Sequence, residues 1–250
     1  MNTASFRATA LIATGSALLL LLSGCFNFGV LQPDNTTKPT GEDVPAALVP
    51  YYTQVLDWAD CDNGMECATA KAPMDWANPS PETDISLAVV RHPATGTKQG
   101  SLFTNPGGPG ASGFDFVYDS LDFAASADLQ AAFDVVGWDP RGVGRSSAVK
   151  CYEAPELDAF IFGLPEAPRG TQAWIDEVTQ SSIDFGQACL ENTGELLQFI
   201  DTQSTVHDLD MLRAVVGDPK LNYLGYSYGS DIGSYYVENF PDKVGRLVVD

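Results

Sequence analysis

The chain has 250 residues and is strongly acidic, with 33 Asp and Glu against 13 Lys and Arg and a formal net charge of -20. A negative surface repels phosphate backbones, which argues against nucleic acid as a partner. With 44% apolar residues the chain can bury one substantial core, and an α/β domain of this length is common as a single unit. The acidic residues are scattered, a pattern typical of a solvated anionic surface rather than of a cation site.

Residues 1–24 have the pattern of a signal peptide. Arg7 makes the start weakly positive, and residues 8–22 form an apolar run of about 15 residues, shorter than the roughly 20 that a membrane-spanning helix needs. The run ends in LSGC, which resembles a bacterial lipobox whose cysteine, Cys25, becomes lipidated. An ordinary signal peptide with an incidental cysteine is the alternative. We therefore expect an exported protein, either anchored by a lipid on Cys25 to the outer face of the cell membrane or secreted.

Residues 25–54 are predicted to contain the lipidated cysteine and a flexible tether. The segment QPDNTTKPTG, residues 32–41, is polar and contains prolines, and such a composition cannot support a core. The folded domain is accordingly expected to occupy residues 55–250.

Four further cysteines lie in the predicted domain, at Cys61, Cys67, Cys151 and Cys189. An even number in an exported protein is typical of disulfides, and four cysteines allow three connectivities. Sequence proximity favours Cys61 with Cys67 and Cys151 with Cys189. A metal site is not indicated, because there is no CxxC pair and both histidines lie far from any cysteine in the sequence. No cofactor is implied by any motif.

Short β-type runs alternate with helical segments from Leu56 onward, which favours an α/β fold with a mostly parallel sheet and flanking helices. The first two strands are joined by a proline-containing loop and are expected to form an antiparallel pair. Six strands are predicted, at residues 66–72, 85–91, 101–104, 133–138, 221–224 and 244–250.

Helices are predicted between the later strands. Residues 114–129 can be helical, and the segment from residue 151 starts irregular and acidic and becomes helical from about Thr171. Residues 204–216 are the clearest amphipathic helix, because valine and leucine recur there at helical spacing. The last predicted helix, residues 230–240, directly follows a serine motif.

The serine motif is Gly225-Tyr226-Ser227-Tyr228-Gly229, which spells G-x-S-x-G. This is the spacing of a nucleophile elbow, in which a serine sits on a tight strand-to-helix turn with its hydroxyl exposed. Small flanking residues let the strained turn form without clashes. An incidental Gly-Ser-Gly turn is the alternative. The strand before the motif and the helix after it favour Ser227 as a catalytic nucleophile.

The loop NPGGPG, residues 105–110, follows the third predicted strand. Acyl transfer needs two N–H donors for the oxyanion, one from the residue after the nucleophile and one from this loop. We therefore expect Tyr228 to supply the first donor and Gly108 or Gly107 to supply the second. A phosphate-binding loop is the alternative, but Pro109 removes an N–H there and no Lys-Ser/Thr pair follows.

Several segments, taken in their order along the chain, together resemble one known family. The main ones are SLFTNPGGPGASG, VVGWDPRGVGRSS and LNYLGYSYGSDIGSYYVENFPDKVGRLVVD. The series resembles exported bacterial α/β-hydrolases related to tripeptidyl aminopeptidases and prolyl iminopeptidases, over roughly residues 55–250. The resemblance implies an α/β-hydrolase fold and removal of amino acids or short peptides from a substrate with a free N-terminus, by acyl transfer to Ser227. It also implies that Arg141 and Arg145 organise the loop after the fourth strand, for which ordinary turn residues are the alternative.

One departure from the family concerns the catalytic triad. In this fold the triad runs Ser, then Asp or Glu, then His, but both histidines of the chain, His92 and His207, precede Ser227. Each is interpreted as a surface or turn residue, because use as the base would demand a different fold order. Asp250 has no histidine to orient. We therefore expect a C-terminally truncated hydrolase that lacks the last strands and the cap.

This expectation leaves three functions open. The first is a serine peptidase of exported aminopeptidase type, active when a missing C-terminal portion is supplied in cis or as a separately encoded chain. The second is an ester hydrolase on the same fold. The third is an inactive surface lipoprotein fragment that binds peptide or nothing.

Overall fold

The structure is a computed structural model that describes residues 35–250, so the predicted signal peptide and Cys25 lie outside the described residues. The strands are β1 (Ala59–Asp60), β2 (Glu66–Ala72), β3 (Ile85–His92), β4 (Ser101–Asn105), β5 (Asp134–Trp138), β6 (Leu221–Gly225) and β7 (Val244–Val249). The helices are α1 (Val49–Tyr52), α2 (Gly113–Ala124), α3 (Ala127–Ala132), α4 (Ala154–Phe162), α5 (Gln172–Thr193), α6 (Thr202–Val215) and α7 (Tyr228–Asn239). All six predicted strands are present.

The strands form one mixed sheet of seven, in the order β1-β2-β3-β5-β4-β6-β7. The predicted antiparallel pairing of the first two predicted strands, β2 and β3, is confirmed. The strands β5, β4, β6 and β7 run parallel to one another. Their carboxyl ends therefore meet at one edge, where the NPGGPG loop, the loop after β5 and the serine motif all emerge. Ligands of open α/β sheets bind at this edge.

Helices cover both faces of the sheet. Along β5, Val135 packs in one apolar cluster and Val136 in the other, because successive side chains of a strand point to opposite faces. The first cluster includes Phe114 and Val117 of α2, and the second includes residues of α6 and α7. The predicted arrangement of flanking helices is thereby confirmed.

Two predicted segments differ from the structure. The helix expected at residues 114–129 is divided into α2 and α3, because Ala125 and Ser126 between them adopt extended backbone conformations. The acidic stretch expected to be irregular contains α4, which begins with a capping box formed by Glu153 and Glu156. The short elements β1 and α1 were not expected from the sequence.

Residues 35–54 form the largest correction. They were predicted to belong to the flexible tether, but they pack against the domain, with Tyr51 and Tyr52 only 3% and 4% exposed. Tyr52 donates a hydrogen bond to Asp210 at 2.8 Å. Glu42 accepts hydrogen bonds from Arg213 at 2.8 Å and from Lys243. The polar composition concealed this packing, since the partners of these residues lie far away in the sequence.

Both disulfides that sequence proximity favoured are present, Cys61–Cys67 and Cys151–Cys189. The second joins a residue three positions before the start of α4 to a residue near the end of α5. Within residues 35–250, no helix has the length and apolar character needed to cross a membrane. The same residues contain no group of three or more side chains placed to hold a metal ion.

Candidate active site

The serine motif forms a sharp turn between β6 and α7. Ser227 has φ 53° and ψ -123°, a conformation that residues with a side chain rarely adopt. Such strain persists only where the surrounding structure holds it, and it is concentrated at functional sites. Gly229 is needed beside it, because a Cβ at this position would lie 2.6 Å from the main-chain oxygen of Asn105. The motif therefore has the local geometry of a nucleophile elbow.

Hydrogen bonds from two neighbouring strands hold the turn. Tyr226 N–H donates to the main-chain oxygen of Asn105 at 3.0 Å, and Ser227 N–H donates to that of Asp250 at 2.8 Å. Tyr228 N–H is at the first position of α7 and has no acceptor among residues 35–250. The first amides of a helix have no partner within the helix. The Tyr228 N–H is therefore available to a ligand.

The NPGGPG loop lies directly against this turn. Gly107 and Gly108 have φ angles of 93° and 108°, which strongly favour glycine. A Cβ on Gly107 would lie 2.8 Å from the nitrogen of Tyr228 and 2.9 Å from the Cβ of Ser227. The structure thus brings together the three segments that the sequence singled out: the nucleophile, the residue after it and the glycine loop.

The two glycines differ in the state of their amides. Gly107 is buried, and its N–H donates to Oδ1 of Asn105 at 2.9 Å. Gly108 is exposed, and its N–H has no acceptor among the described residues. Of the two donors left open by the sequence, Gly108 is therefore the one whose amide is free.

A cavity of about 480 Å³ opens beside the glycine loop and Tyr228. It is lined by Gly107, Tyr228 and Arg141, and by Asp201 and Thr202 at the start of α6. The Thr202 and Tyr228 hydroxyls lie 2.7 Å apart, which ties the start of α6 to the residue after the nucleophile. The cavity volume is in the range of sites that bind small organic ligands.

Arg141 anchors the loop after β5 and is 1% exposed. Its guanidinium binds both carboxylate oxygens of Asp208, at 2.8 and 2.7 Å. Its other N–H groups donate to the main-chain oxygens of Met74 at 2.8 Å, Phe199 at 3.2 Å and Pro73 at 3.1 Å. All five N–H groups of the guanidinium are thus used, so this arginine has no donor left for a substrate.

Arg145, four residues further along the same loop, is half exposed. It pairs with Asp115 at 2.6 Å, and its guanidinium lies 4.3 Å from the ring centroid of Phe114. Its main-chain N–H donates to Asp139 at 2.8 Å. Both arginines therefore connect this loop to its surroundings, as the family resemblance implied.

The two histidines lie away from the nucleophile, and neither is hydrogen-bonded to Ser227 within residues 35–250. His92 pairs with Val135 near the amino end of β5, whereas Ser227 follows the carboxyl end of β6. His207 stacks on Trp76 with 5.4 Å between ring centroids and also contacts Phe240. Burial lowers the pKa of His207, which favours its neutral form. The contacts of both histidines are therefore those of residues that pack or pair within the fold, and not contacts with the nucleophile.

Three aromatic side chains beside the elbow were not expected from the sequence. Tyr226, directly before Ser227, contacts Phe116 at 5.6 Å and Phe123 at 6.1 Å between ring centroids. Phe123 is 73% exposed. Burial raises the pKa of Tyr226, and the Asp250 carboxylate adds to this effect. No sequence periodicity could reveal this apolar patch, because α2 and the elbow are about a hundred residues apart.

Comparison with known proteins agrees with this geometry. Residues 101–250 match the sequence model of a family described as having the alpha/beta hydrolase fold. The chain is 40% identical over 207 residues to a tripeptidyl aminopeptidase of Streptomyces lividans, a match that covers 78% of this chain and 38% of that protein. It is 34% identical over 212 residues to serine protease Hip1 of Mycobacterium tuberculosis, covering 80% of this chain and 40% of that protein.

A third relative carries the name of a different reaction. Carboxylesterase B of Mycobacterium tuberculosis is 42% identical to this chain over 226 residues, which cover 86% of the chain and 42% of that protein. The chain thus spans about two fifths of the length of each of these three relatives. The family match, the sheet order and the elbow lead to one conclusion: the chain belongs to the α/β-hydrolase family, and its relatives are hydrolases.

Proposed function

We propose that the protein is a serine hydrolase of exported aminopeptidase type, in which Ser227 forms an acyl-enzyme with the substrate. The observation that carries the proposal is the strained backbone of Ser227, with the free amide of Tyr228 directly after it and with Gly107, the neighbour of the free Gly108 amide, packed against the turn. The activity is proposed for the whole protein, because the chain spans 38% of the length of the tripeptidyl aminopeptidase that it matches.

In the proposed reaction Ser227 Oγ attacks the carbonyl carbon of the substrate's scissile amide. The negative charge then develops on the carbonyl oxygen, where the Tyr228 and Gly108 N–H groups stabilise it. Loss of one such donor typically lowers kcat by about 10²–10³. The serine proton must pass to a base, normally a histidine held by a carboxylate, which gives it to the leaving amine as the C–N bond breaks. Water then attacks the acyl-enzyme, releases the N-terminal fragment as a carboxylic acid and restores the serine hydroxyl. His92 and His207 are not proposed for this role, because neither is hydrogen-bonded to Ser227.

The proposed substrate is a peptide with a free N-terminus, from which amino acids or short peptides are released. Two features support it: the 40% identity to a protein named tripeptidyl aminopeptidase, and the cavity of about 480 Å³ beside the glycine loop and Tyr228. A cavity of this size accommodates a short peptide segment rather than a folded chain.

The proposal includes export and a lipid on Cys25. It is supported by the leader-like residues 1–24 and by the two disulfides, which persist in oxidising compartments. Expression in a bacterial host with radiolabelled palmitate tests the anchor. We expect label in the wild type and none in Cys25→Ser, whereas equal labelling of both proteins would reject lipidation at Cys25.

The reaction is tested on the whole protein with three chromogenic substrates: a tripeptidyl anilide, its N-acetylated form and a short-chain acyl ester. We expect turnover of the free tripeptidyl anilide, much slower turnover of the acetylated form, and none by Ser227→Ala. Equal rates for the free and the blocked anilide would overturn the aminopeptidase specificity. Activity that survives in Ser227→Ala would overturn the acyl-enzyme.

The second candidate is ester hydrolysis on the same site. It is favoured by the 42% identity to a relative named carboxylesterase B and by the apolar patch of Phe116, Phe123 and Tyr226 beside the nucleophile. Rapid cleavage of the acyl ester with no cleavage of either anilide would support this candidate over the peptidase.

A further inference from the structure

Asn105 occupies an unusual position for a polar residue. It is the last residue of β4, a strand buried along its whole length, and is 1% exposed. It pairs with Gly225 of β6, so it lies at the carboxyl edge between the glycine loop and the elbow. It also lines the cavity beside the glycine loop and Tyr228.

Both segments that carry a free amide are bonded to this one residue. Oδ1 of Asn105 accepts the N–H of Gly107 at 2.9 Å, one residue before Gly108. The main-chain oxygen of Asn105 accepts the N–H of Tyr226 at 3.0 Å, two residues before Tyr228. Asn105 therefore links the two segments directly.

The other half of the carboxamide has no partner. Nδ2 of Asn105 is buried and makes no hydrogen bond within residues 35–250. The Gly107 N–H requires an acceptor, which fixes the orientation of the amide and leaves Nδ2 unpaired. An unpaired buried donor destabilises a fold, and an apolar side chain of similar shape would avoid this penalty. The acceptor for Gly107 accounts for Oδ1, but the stability of the strand end does not account for the unpaired Nδ2.

We propose that Asn105 is a positioning residue of the oxyanion hole, which fixes the Gly108 and Tyr228 amides at the spacing that acyl transfer requires. This inference rests on the proposed function. By accepting the Gly107 N–H, Oδ1 prevents that amide from turning towards the oxyanion and orients the next peptide so that the Gly108 N–H faces it. A displacement of about 1 Å in such groups can slow a reaction about 10²-fold.

The test compares Asn105→Leu with Asn105→Asp in the whole protein. Leucine has a similar shape but no acceptor for the Gly107 N–H, whereas aspartate keeps an oxygen at the position of Oδ1. Asn105→Ser is the additional, neutral variant, since a serine hydroxyl can accept the same N–H more weakly. The probe is a fluorophosphonate that labels Ser227, with the maximal labelling rate and the half-saturating probe concentration measured separately.

We expect Asn105→Leu to lower the maximal labelling rate at least about 100-fold, with the half-saturating concentration little changed. The neutral Asn105→Ser should recover most of the rate, whereas Asn105→Asp keeps the acceptor but adds a negative charge that opposes the developing oxyanion, so its recovery should be smaller. A change confined to the half-saturating concentration, or wild-type labelling by the folded leucine variant, would overturn the proposal. Equal loss in the leucine variant and in the folded serine variant would also overturn it.

Amide hydrogen exchange on the same proteins tests the hydrogen bond from the Gly107 N–H directly, and this measurement does not depend on labelling of Ser227. We expect the Gly107 amide to be protected in the wild type and in the acceptor-bearing variant, and to exchange faster in Asn105→Leu. A wild type that the probe does not label would reject the proposed function by itself. In that case unchanged exchange at Gly107 in Asn105→Leu would reject the positioning role, and faster exchange would support it.

Discussion

The helices α5 and α6 are consecutive in the chain but differ sharply in their surroundings. Cys189 is the buried residue of the 22-residue α5, whereas ten of the 14 residues of α6 are buried. The acidic side chains differ in the same way. Residues 151–193, here called the acidic hairpin, contain eight Asp and Glu and one Arg, and none of these carboxylates forms a salt bridge in the described structure.

The carboxylates of α6 are paired instead. Asp208 binds Arg141, and Asp210 accepts hydrogen bonds from Tyr52, Arg213, Tyr236 and Lys243. The acidic hairpin therefore carries its carboxylates without salt bridges, while α6 supports the loop after β5 at the edge of the sheet where the candidate site lies. Carboxylates differ between the two regions because a buried carboxylate needs a partner, whereas an exposed one does not.

The largest expected effect concerns the contribution of the buried ion pair between Arg141 and Asp208 of α6 to the stability of the fold. Arg141→Ala should lower the free energy of unfolding by about 3–5 kcal/mol, since it leaves the Asp208 carboxylate buried without its partner. Urea unfolding followed by circular dichroism measures the loss. The control is Arg145→Ala on the same loop, whose side chain is 51% exposed and whose loss should be about 0–1 kcal/mol. Equal losses in the two variants would contradict the comparison.

A second pair of variants compares apolar residues in the two regions. Leu209→Ala in α6 should lower the free energy of unfolding by about 3 kcal/mol, because Leu209 is 0% exposed and its truncation leaves a cavity. Leu164→Ala in the acidic hairpin should change it by no more than about 0.5 kcal/mol, because Leu164 is 90% exposed. Thermal and urea unfolding of both proteins measure the difference. A large loss in Leu164→Ala would show that the hairpin is packed in solution.

A third variant tests the attachment of residues 35–54 to α6. Burial alone raises the pKa of Glu42, but hydrogen bonds from Lys243 and Arg213 outweigh it and hold the pKa below its ordinary value of 4.5. A carboxyl group with a lowered pKa stabilises the fold above its unfolded pKa, and this contribution is lost as the pH falls through the folded pKa. Glu42→Gln should therefore cost about 1–2 kcal/mol at pH 7.

The stability difference between wild type and Glu42→Gln should shrink as the pH falls below about 4.5, the ordinary value for this group. Urea unfolding at a series of pH values from neutral to acid measures it. Glutamine is the appropriate replacement, because it keeps the shape of the side chain and removes only the titrating charge. A stability difference that is independent of pH would contradict the ion-pair interpretation. Equal stability of the two proteins at neutral pH would support the prediction that these residues form a flexible tether.

The smallest expected effect concerns Asp158, a carboxylate of the acidic hairpin that forms no salt bridge in the described structure. Asp158→Asn should leave the free energy of unfolding unchanged within about 0.5 kcal/mol, because surface substitutions away from specific contacts have small effects. The measurement is urea unfolding at low and at high salt. A loss above this limit would reveal a partner for Asp158 and would weaken the contrast between the two regions.

The sequence by itself determined six of the seven strands, the order of the motifs and the family. Short apolar runs, G-x-S-x-G and the glycine loop are local signals, so β4, β6 and the elbow at Ser227 could be predicted from neighbouring residues alone. The disulfide pairing also followed from proximity, since the observed pairs, separated by 6 and 38 residues, are closer in the chain than those of either alternative pairing. These features need no knowledge of contacts between distant segments.

The tertiary structure decided which of these residues work together. The parallel pairing of β4 with β6 places Asn105 opposite Gly225, so the main-chain oxygen of Asn105 accepts the Tyr226 N–H of a turn more than a hundred residues away. Residues 35–54 join the domain through Tyr52 and Glu42, whose partners are equally distant in sequence. Such contacts depend on strand register and helix packing. The composition and spacing of polar residues along the sequence do not reveal which distant residue each of them will contact.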